Sequence, residues 1–259
     1  MTKARLVLPS LPEAVSAGVL QQQAARFTGL VRDDLADASA VDGFVPVAER
    51  VVLHPDETPR RALLAEAAAD PRLAVLLLGT VFPRVARLLE EGWNTDRLSF
   101  VDVTIAAARL QDAVRVLGQF TLPARTDALV MVVPPWEQHT LPASLAAARL
   151  RRKGVPIRLI QAISVPQMLP LIARCGPAGV LISVGSYRSA GKLRPLIGAL
   201  RSHVPRALPI VVGGPAMESD AAVCRRSGAD LATNDLDAAL SFCELALDDV
   251  AVRQSNVDA

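Results

Sequence analysis

The sequence predicts an α/β domain built on a doubly wound parallel sheet and preceded by a small helical bundle. Three observations carry this. After about residue 125, short and nearly continuous apolar runs alternate with amphipathic helical segments, as parallel strands buried on both faces require. Ahead of that point, from Thr58 to Gly118, apolar residues recur at helical spacing. Finally, 51% of the 259 residues are hydrophobic and only 21% are charged, enough to fill a core in each part.

The first residues give a mixed signal. A helix is expected from Pro12 to Val31, with Gln21, Gln22 and Gln23 on it, and the Gly- and Pro-punctuated run from Asp33 to Pro59 completes an arm or small cap over residues 1–58. At Thr58 the pattern changes. Thr58 can cap a helix, Pro59 suits its first turn, and Ala62, Leu63, Ala65, Glu66 and Ala67 favour helix. A second helix is expected from Pro71 to Glu91, with Leu73, Leu76, Leu77, Val81, Val85, Leu88 and Leu89 at helical spacing and Gly92 closing it. A third, capped by Asn94 or Thr95, continues through Phe100, Val103, Ile105, Ala108, Leu110, Val114 and Leu117 to Gly118. Residues 59–122 therefore read as a helical bundle.

Pro123 to Thr126 form a short linker to the α/β domain, residues 125–250. Strands are expected at Ala128 to Val133, Ile157 to Gln161, Gly179 to Val184, Pro209 to Val212 and, more weakly, Asp230 to Thr233. Helices fill the gaps at about 143–153, 165–174, 190–203, 217–227 and 235–247, with Gly154, Gly176 and Gly228 where C-terminal caps belong. Five βα units imply one five-stranded sheet, and residues 251–259 read as a tail.

Composition excludes several classes of function. The 28 Lys+Arg and 26 Asp+Glu leave a net charge of +2, far from the concentrated basic field that neutralises phosphates, so no direct nucleic-acid binding is expected. Cys175, Cys224 and Cys243 are odd in number and never form a C-x-x-C pair, which argues against a disulfide framework or a structural zinc site. Pro9 interrupts the first apolar run early and no apolar run approaches about 18 residues, so a cytoplasmic protein that does not span a membrane is expected. Self-association is compatible with all of this. The run Arg149, Arg151, Arg152 and Lys153 lies on the last turn of a helix, where cations complement the dipole without any ligand.

A doubly wound sheet binds ligands beyond the carboxyl ends of its strands, so the loops after the first, third and fourth strands should converge. The first holds Pro134-Pro135-Trp136-Glu137-Gln138-His139-Thr140-Leu141-Pro142, where a carboxylate two residues before an imidazole can fix its tautomer. The third is Ser183-Val184-Gly185-Ser186-Tyr187-Arg188-Ser189, and the fourth is Gly213-Gly214-Pro215. Paired glycines after an apolar strand permit unusual torsions and a close approach to the backbone.

With these residues the chain resembles the cobalamin-binding domains, whose hallmark is Asp or Glu-x-His-x-x-Gly, then a Ser-x-Leu-type segment, then Gly-Gly. His139 precedes Ser183, Ser189 and Gly213 by 44, 50 and 74 residues, which matches the family's separations. The resemblance covers residues 59–250 and implies a flavodoxin-like cobalamin-binding fold with the helical bundle as a lid. It implies that His139 is the lower axial ligand of cobalt and that Glu137 accepts its ring N–H. It further implies that Ser189 hydrogen-bonds Glu137 and that Ser183, Gly213 and Gly214 line the slot for the displaced dimethylbenzimidazole tail. Gln138, Thr140, Leu141, Val184, Ser186, Tyr187 and Pro215 flank those positions, and Trp93 is a candidate to cover the ring. The alternative pigment is haem or another tetrapyrrole.

Two positions depart from the pattern. Pro142 stands where the motif has glycine, and Pro restricts the residue before it. In light-sensing cobalamin regulators a bundle tryptophan is followed ten residues later by Glu-His, whereas Trp93 is followed by Val103-Thr104. A light switch ending with two histidines on cobalt is therefore not implied.

A narrower likeness runs from Gly92-Trp93-Asn94-Thr95 through Ser99-Phe100-Val101-Asp102-Val103-Thr104-Ile105 and includes Trp136-Glu137-Gln138-His139. It is similar to the cobalamin-binding antirepressors of photosynthesis genes in purple bacteria, and to related sensors that hold haem. The likeness implies a non-enzymatic, light- or redox-responsive sensor whose partner is a transcription repressor. The alternatives are a corrinoid protein of a methyltransferase system and a ligand-free protein-interaction module.

Overall fold

The computed structural model describes residues 15–118, 129–185, 191–219 and 226–244. The chain divides into two compact units, Met1–Leu117 and Gly118–Ala259.

The first unit is helical. It comprises α1 (Ala17–Arg32), α2 (Ala38–Leu53), α3 (Thr58–Ala69), α4 (Pro71–Leu76), a π-helical turn (Leu77–Val81), α5 (Phe82–Asn94) and α6 (Phe100–Leu117). α1 starts at Ser16, whose hydroxyl accepts the Val19 N–H, and it buries Leu20, Ala24, Phe27 and Val31 along one stripe. The polar segment expected as an arm or small cap contains α2. Its N-cap is Asp37, which accepts the Ala40 N–H at 2.8 Å, and it passes straight through Gly43 and Pro46. Pro46 costs a helix interior about 3 kcal/mol. Burial of Val41, Phe44, Val45, Val51 and Val52, at roughly 1.5–3 kcal/mol for each large side chain, outweighs it. Phe44 stacks on Phe27 of α1 with centroids 3.9 Å apart, and α1 also packs on α3. Residues 17–53 are thus part of the bundle rather than an appendage.

The helix expected from Pro71 to Glu91 changes register midway. Pro83 has no N–H to give the carbonyl of Gly79, and the chain widens there, with Phe82 N–H reaching back to Leu77 O. Gly92 does not close this helix, which continues to Asn94. A Cβ at Gly92 would lie 2.7 Å from Leu98 Cδ1 and 2.8 Å from an Arg97 nitrogen, so glycine there permits the tight corner into α6. Nor do Asn94 or Thr95 cap α6. Ser99 does so reciprocally with Asp102, through Ser99 Oγ to Asp102 Oδ2 at 2.6 Å and Asp102 N to Ser99 Oγ at 3.2 Å.

The second unit is a five-stranded, all-parallel sheet in the order β2-β1-β3-β4-β5. Its strands are β1 (Leu129–Val132), β2 (Ile157–Ile160), β3 (Gly179–Ser183), β4 (Ile210–Gly213) and β5 (Leu231–Ala232). Between them run α7 (Leu141–Arg152), α8 (Val165–Cys175), α9 (Leu193–Arg201), α10 (Ala216–Ser219) and finally α11 (Leu236–Phe242). Each expected strand is present, four of them trimmed by a residue or two and β4 shifted by one to end at Gly213, and Gly154, Gly176 and Gly228 have positive φ at the expected caps. α10 is described over Ala216–Ser219 and residues 226 and 227 are again helical, with 220–225 of the expected 217–227 helix outside the described residues; α11 ends at Phe242. The linker at Pro123 to Thr126, Cys224 and the tail at 251–259 lie outside the described residues.

Alternation along the strands feeds two cores. Val130, Val132, Ile182 and Val212 pack under α8 and α9, and Leu129, Met131, Leu181 and Val211 under α7 and α11. Cys243 belongs to the second core, and Cys175 is half-buried against the first. In register, Val132 lies beside both Ile160 and Ile182, and Ser183 beside Gly213. The loops after β1, β3 and β4 are therefore neighbours at one edge, with the change of winding direction between β1 and β3. No described helix is long and apolar enough to cross a membrane.

Candidate functional site

Leaving β1, the chain turns at Pro134, whose carbonyl accepts the Glu137 N–H at 2.9 Å. This turn drives the Glu137 side chain inward until only 1% of it is exposed, while the side chain of His139 remains 61% exposed. Burial of a carboxylate demands partners, and they are supplied. Oε1 accepts the His139 backbone N–H at 2.9 Å and lies 2.6 Å from His139 Nδ1, and Oε2 accepts the Gly185 N–H at 2.8 Å from the loop after β3.

An ionised carboxylate only accepts, so Nδ1 carries the proton and Nε2 keeps its lone pair. Among the described residues Nε2 has no hydrogen-bond partner. The result is an exposed imidazole, held at one nitrogen by a buried anion and open at the other. That is the arrangement of a metal-ligating histidine.

Gly185 completes the clamp. A Cβ there would fall 2.4 Å from His139 Cβ and 2.7 Å from Nδ1, so no other residue lets the β3 loop lie against the ring. Sequence reasoning did not single out this glycine, although its place directly after Ser183-Val184 was the available signal.

The paired glycines face protein. A Cβ on Gly213 would meet the Thr233 carbonyl oxygen at 2.6 Å, and one on Gly214, where φ is +108°, the Val184 carbonyl oxygen at 2.5 Å. Gly214 N–H donates to Asn234 Oδ1 at 2.7 Å, Val184 N–H to Gly213 O at 2.9 Å and Ala216 N–H to Val184 O at 3.0 Å. These bonds lock the ends of β3, β4 and β5 together. Thr233 and Asn234, which take part, were not anticipated.

The remaining candidates are distributed around this centre. Ser183 and Val184 are buried, Gln138 and Pro215 are exposed, and Thr140 and Leu141 sit at the start of α7. Pro142 lies in the first turn of α7, where its missing N–H costs nothing. Ser186, Tyr187 and Ser189 lie outside the described residues. Trp136 is half-buried against the α8–α9 core, and the Lys192 ammonium sits 5.8 Å from its ring centroid. Trp93 belongs to the helical unit, 45% exposed and edge-on to Phe100 at 5.8 Å.

The donor set suits the metal of a tetrapyrrole. Among the described residues no three His, Cys, Asp or Glu side chains gather as a cage for a bare ion. A single imidazole with one nitrogen open fits a metal whose other ligands come from a macrocycle such as a corrin or porphyrin.

No protein-family model matches the sequence. The chain is 35% identical over 98 residues to the HTH-type transcriptional repressor CarH of Myxococcus xanthus, covering 38% of this chain and 33% of the repressor. It thus spans about a third of that relative's length. Its fold is similar to that of the Methanosarcina barkeri monomethylamine corrinoid protein, with a TM-score of 0.60 and 14% identity over 77% of this chain and 95% of that one. At that identity the likeness shows the fold alone. A third relative is an uncharacterized 20.5 kDa protein of the bchF-crtJ intergenic region of Rhodobacter capsulatus, 34% identical over 164 residues, or 61% of this chain and 85% of that protein. On that match, which takes in most of the relative's length, the chain belongs to the family of the Rhodobacter capsulatus bchF-crtJ intergenic protein.

Proposed function

We propose that this protein binds cobalamin at the carboxyl edge of its sheet, with His139 as lower axial ligand, and uses the bound state to modulate a transcription regulator. The observation that carries the reading is the pairing of buried Glu137 with Nδ1 of exposed His139 at 2.6 Å, which leaves Nε2 available. Glu137 holds the imidazole in the ligating tautomer and orientation. The nucleotide tail is expected beside the loops after β3 and β4, next to Ser183, while Gly213 and Gly214 serve the packing of those loops on Thr233 and Val184. Bound cobalamin would supply a cobalt centre able to exchange a ligand. For a signal to result, the ligand must favour one conformation of the protein over another. A regulatory role is supported by the match to part of an HTH-type transcriptional repressor.

A second reading is a corrinoid carrier of a methyltransferase system, favoured by the fold neighbour from Methanosarcina barkeri. Both readings make the chain a binding protein rather than an independent catalyst.

The test is reconstitution of the full chain with hydroxocobalamin and, separately, haemin, followed by gel filtration and visible spectra of wild type and His139→Ala. Retained hydroxocobalamin with a spectrum altered by His139→Ala is expected. Failure to retain either pigment removes the reading, and retention of haemin alone moves it to haem. Cobalamin-dependent co-elution with a transcription regulator encoded beside this chain's gene supports the sensor. Methylation of the bound cobalamin by an adjacent methyltransferase supports the carrier.

A further inference from the structure

At the carboxyl end of β5 stands Asn234. In register, Val212 of β4 lies beside Ala232 of β5, so Gly214 and Asn234, each two residues further on, leave the sheet side by side. Gly214 N–H donates to Asn234 Oδ1 at 2.7 Å. Only the oxygen of a carboxamide can accept an N–H, so this bond fixes the orientation of the amide and leaves its NH2 group open to another partner. Those two donors have no hydrogen-bond partner among the described residues, and Asn234 is exposed.

The backbone on either side of Asn234 is held. Thr233 N–H donates to Val212 O at 2.9 Å and Asp235 N–H to Thr233 Oγ1 at 3.0 Å. Asp235 Oδ1 in turn accepts the N–H groups of Asp237 at 2.8 Å and Ala238 at 3.2 Å at the start of α11. A short side chain on a fixed backbone loses little freedom when it takes a partner.

Ser183, Gly213 and Asn234 follow one another across the sheet. Ser183 of β3 pairs in register with Gly213 of β4, and a Cβ on Gly213 would stand 3.4 Å from Asn234 Oδ1. The loop after β4 is therefore flanked by a hydroxyl on one side and by two open amide donors on the other. A phosphodiester and a ribose carry the oxygen acceptors that such donors lack.

We propose that Asn234 is a specificity-determining residue, whose Oδ1 holds the loop after β4 while its NH2 group donates to a phosphate or ribose oxygen of the nucleotide tail. The proposal rests on the reading that a corrinoid binds at this edge of the sheet. Its consequence is discrimination between a complete cobalamin and a corrinoid without the tail.

The test uses the full chain with two probes, hydroxocobalamin and aquacobinamide, the second of which keeps cobalt and macrocycle but has no nucleotide tail. Spectral titration gives the Kd of each for wild type, Asn234→Asp and Asn234→Ala. Asn234→Asp keeps an oxygen for the Gly214 N–H and exchanges the donors for a second acceptor. Its urea midpoint should equal or exceed that of wild type, since a carboxylate is the stronger acceptor. It should bind hydroxocobalamin about tenfold or more weakly than wild type does, the loss expected for a hydrogen bond to a charged group. Its affinity for aquacobinamide should stay at the wild-type value. Asn234→Ala, which lacks both functions, should show the same selective loss together with a lower urea midpoint. Equal losses for the two corrinoids, or no loss for either, overturn the role of Asn234 while the corrinoid reading stands. Failure of the wild type to bind either probe removes that reading and this proposal with it. Should Asn234→Asp not fold, the same comparison of the two corrinoids on Asn234→Ala decides.

Discussion

Glu137 holds His139 and Gly185 at the same time, 2.6 Å from the ring Nδ1 of one and 2.8 Å from the backbone N–H of the other. One buried carboxylate therefore sets both the tautomer of the imidazole and the distance between the loops after β1 and β3. Glu137→Ala should lower hydroxocobalamin affinity about 10–100-fold, the usual effect of losing the partner of a ligating histidine. It should also lower stability by about 1–3 kcal/mol by leaving backbone donors unpaired. Glu137→Gln, of the same size, should lose affinity with a smaller loss of stability. Spectral titration and urea unfolding measure the two effects.

Gly185→Ala should disturb the imidazole directly, because the new methyl would lie 2.4 Å from His139 Cβ. The overpacking should cost about 1–3 kcal/mol. It should also change the visible spectrum of the reconstituted protein. An unaltered spectrum together with unaltered stability would show that the loops separate freely.

Two glycines give opposite outcomes. Gly214 has φ +108° and no room beside Val184 O, so Gly214→Ala should destabilise by about 1–3 kcal/mol or more. Gly198 lies in α9, exposed, and a methyl added there would meet nothing within 4 Å. Gly198→Ala should therefore stabilise by roughly 0.5–1 kcal/mol. Urea unfolding of both variants checks the pair.

In α2, Pro46 is exposed and its helix continues on both sides. Pro46→Ala restores a donor to the carbonyl one turn back and should stabilise the protein by about 1–3 kcal/mol. A decrease in unfolding temperature would mean that the proline ring makes contacts that outweigh the missing bond.

Burial pushes the Cys243 thiol up to about 11 from its ordinary 9.0, with the nearby Asp230 carboxylate adding to the shift. A raised thiol pKa favours the neutral form in the folded state. The stability it contributes is present below pH 9.0 and is lost as pH rises toward about 11. A Cys175→Ser, Cys224→Ser variant should thus resist thiol reagents at pH 8 until denaturant is added. The fall in its unfolding midpoint between pH 9 and 11 should shrink on further replacement of Cys243 by Ala.

The sheet was legible because its strands are buried on both faces. Val130, Val132, Leu181 and Val211 need no partner's identity to be recognised as interior, and the helices between them announce parallel strands. The loops after β1, β3 and β4, with Glu137 and His139 in the first, follow from that pattern. α2 was not legible, because Gly43 and Pro46 are local breakers and only the distant stacking partner Phe27, with the buried valines, outvotes them. The corner at Gly92 was misread for the same reason, since it is set by Leu98 and Arg97 folding back on the helix and not by a helix end.

By itself the sequence determined which residues reach the carboxyl edge of the sheet, since period and apolar runs are properties of neighbouring positions. Only the tertiary structure decided what each residue does there. It turned Glu137 inward, placed Gly185 against His139, and showed that Gly213 and Gly214 make room for Thr233 and Val184. Such contacts join residues far apart in the chain, and their distances depend on how every intervening element packs.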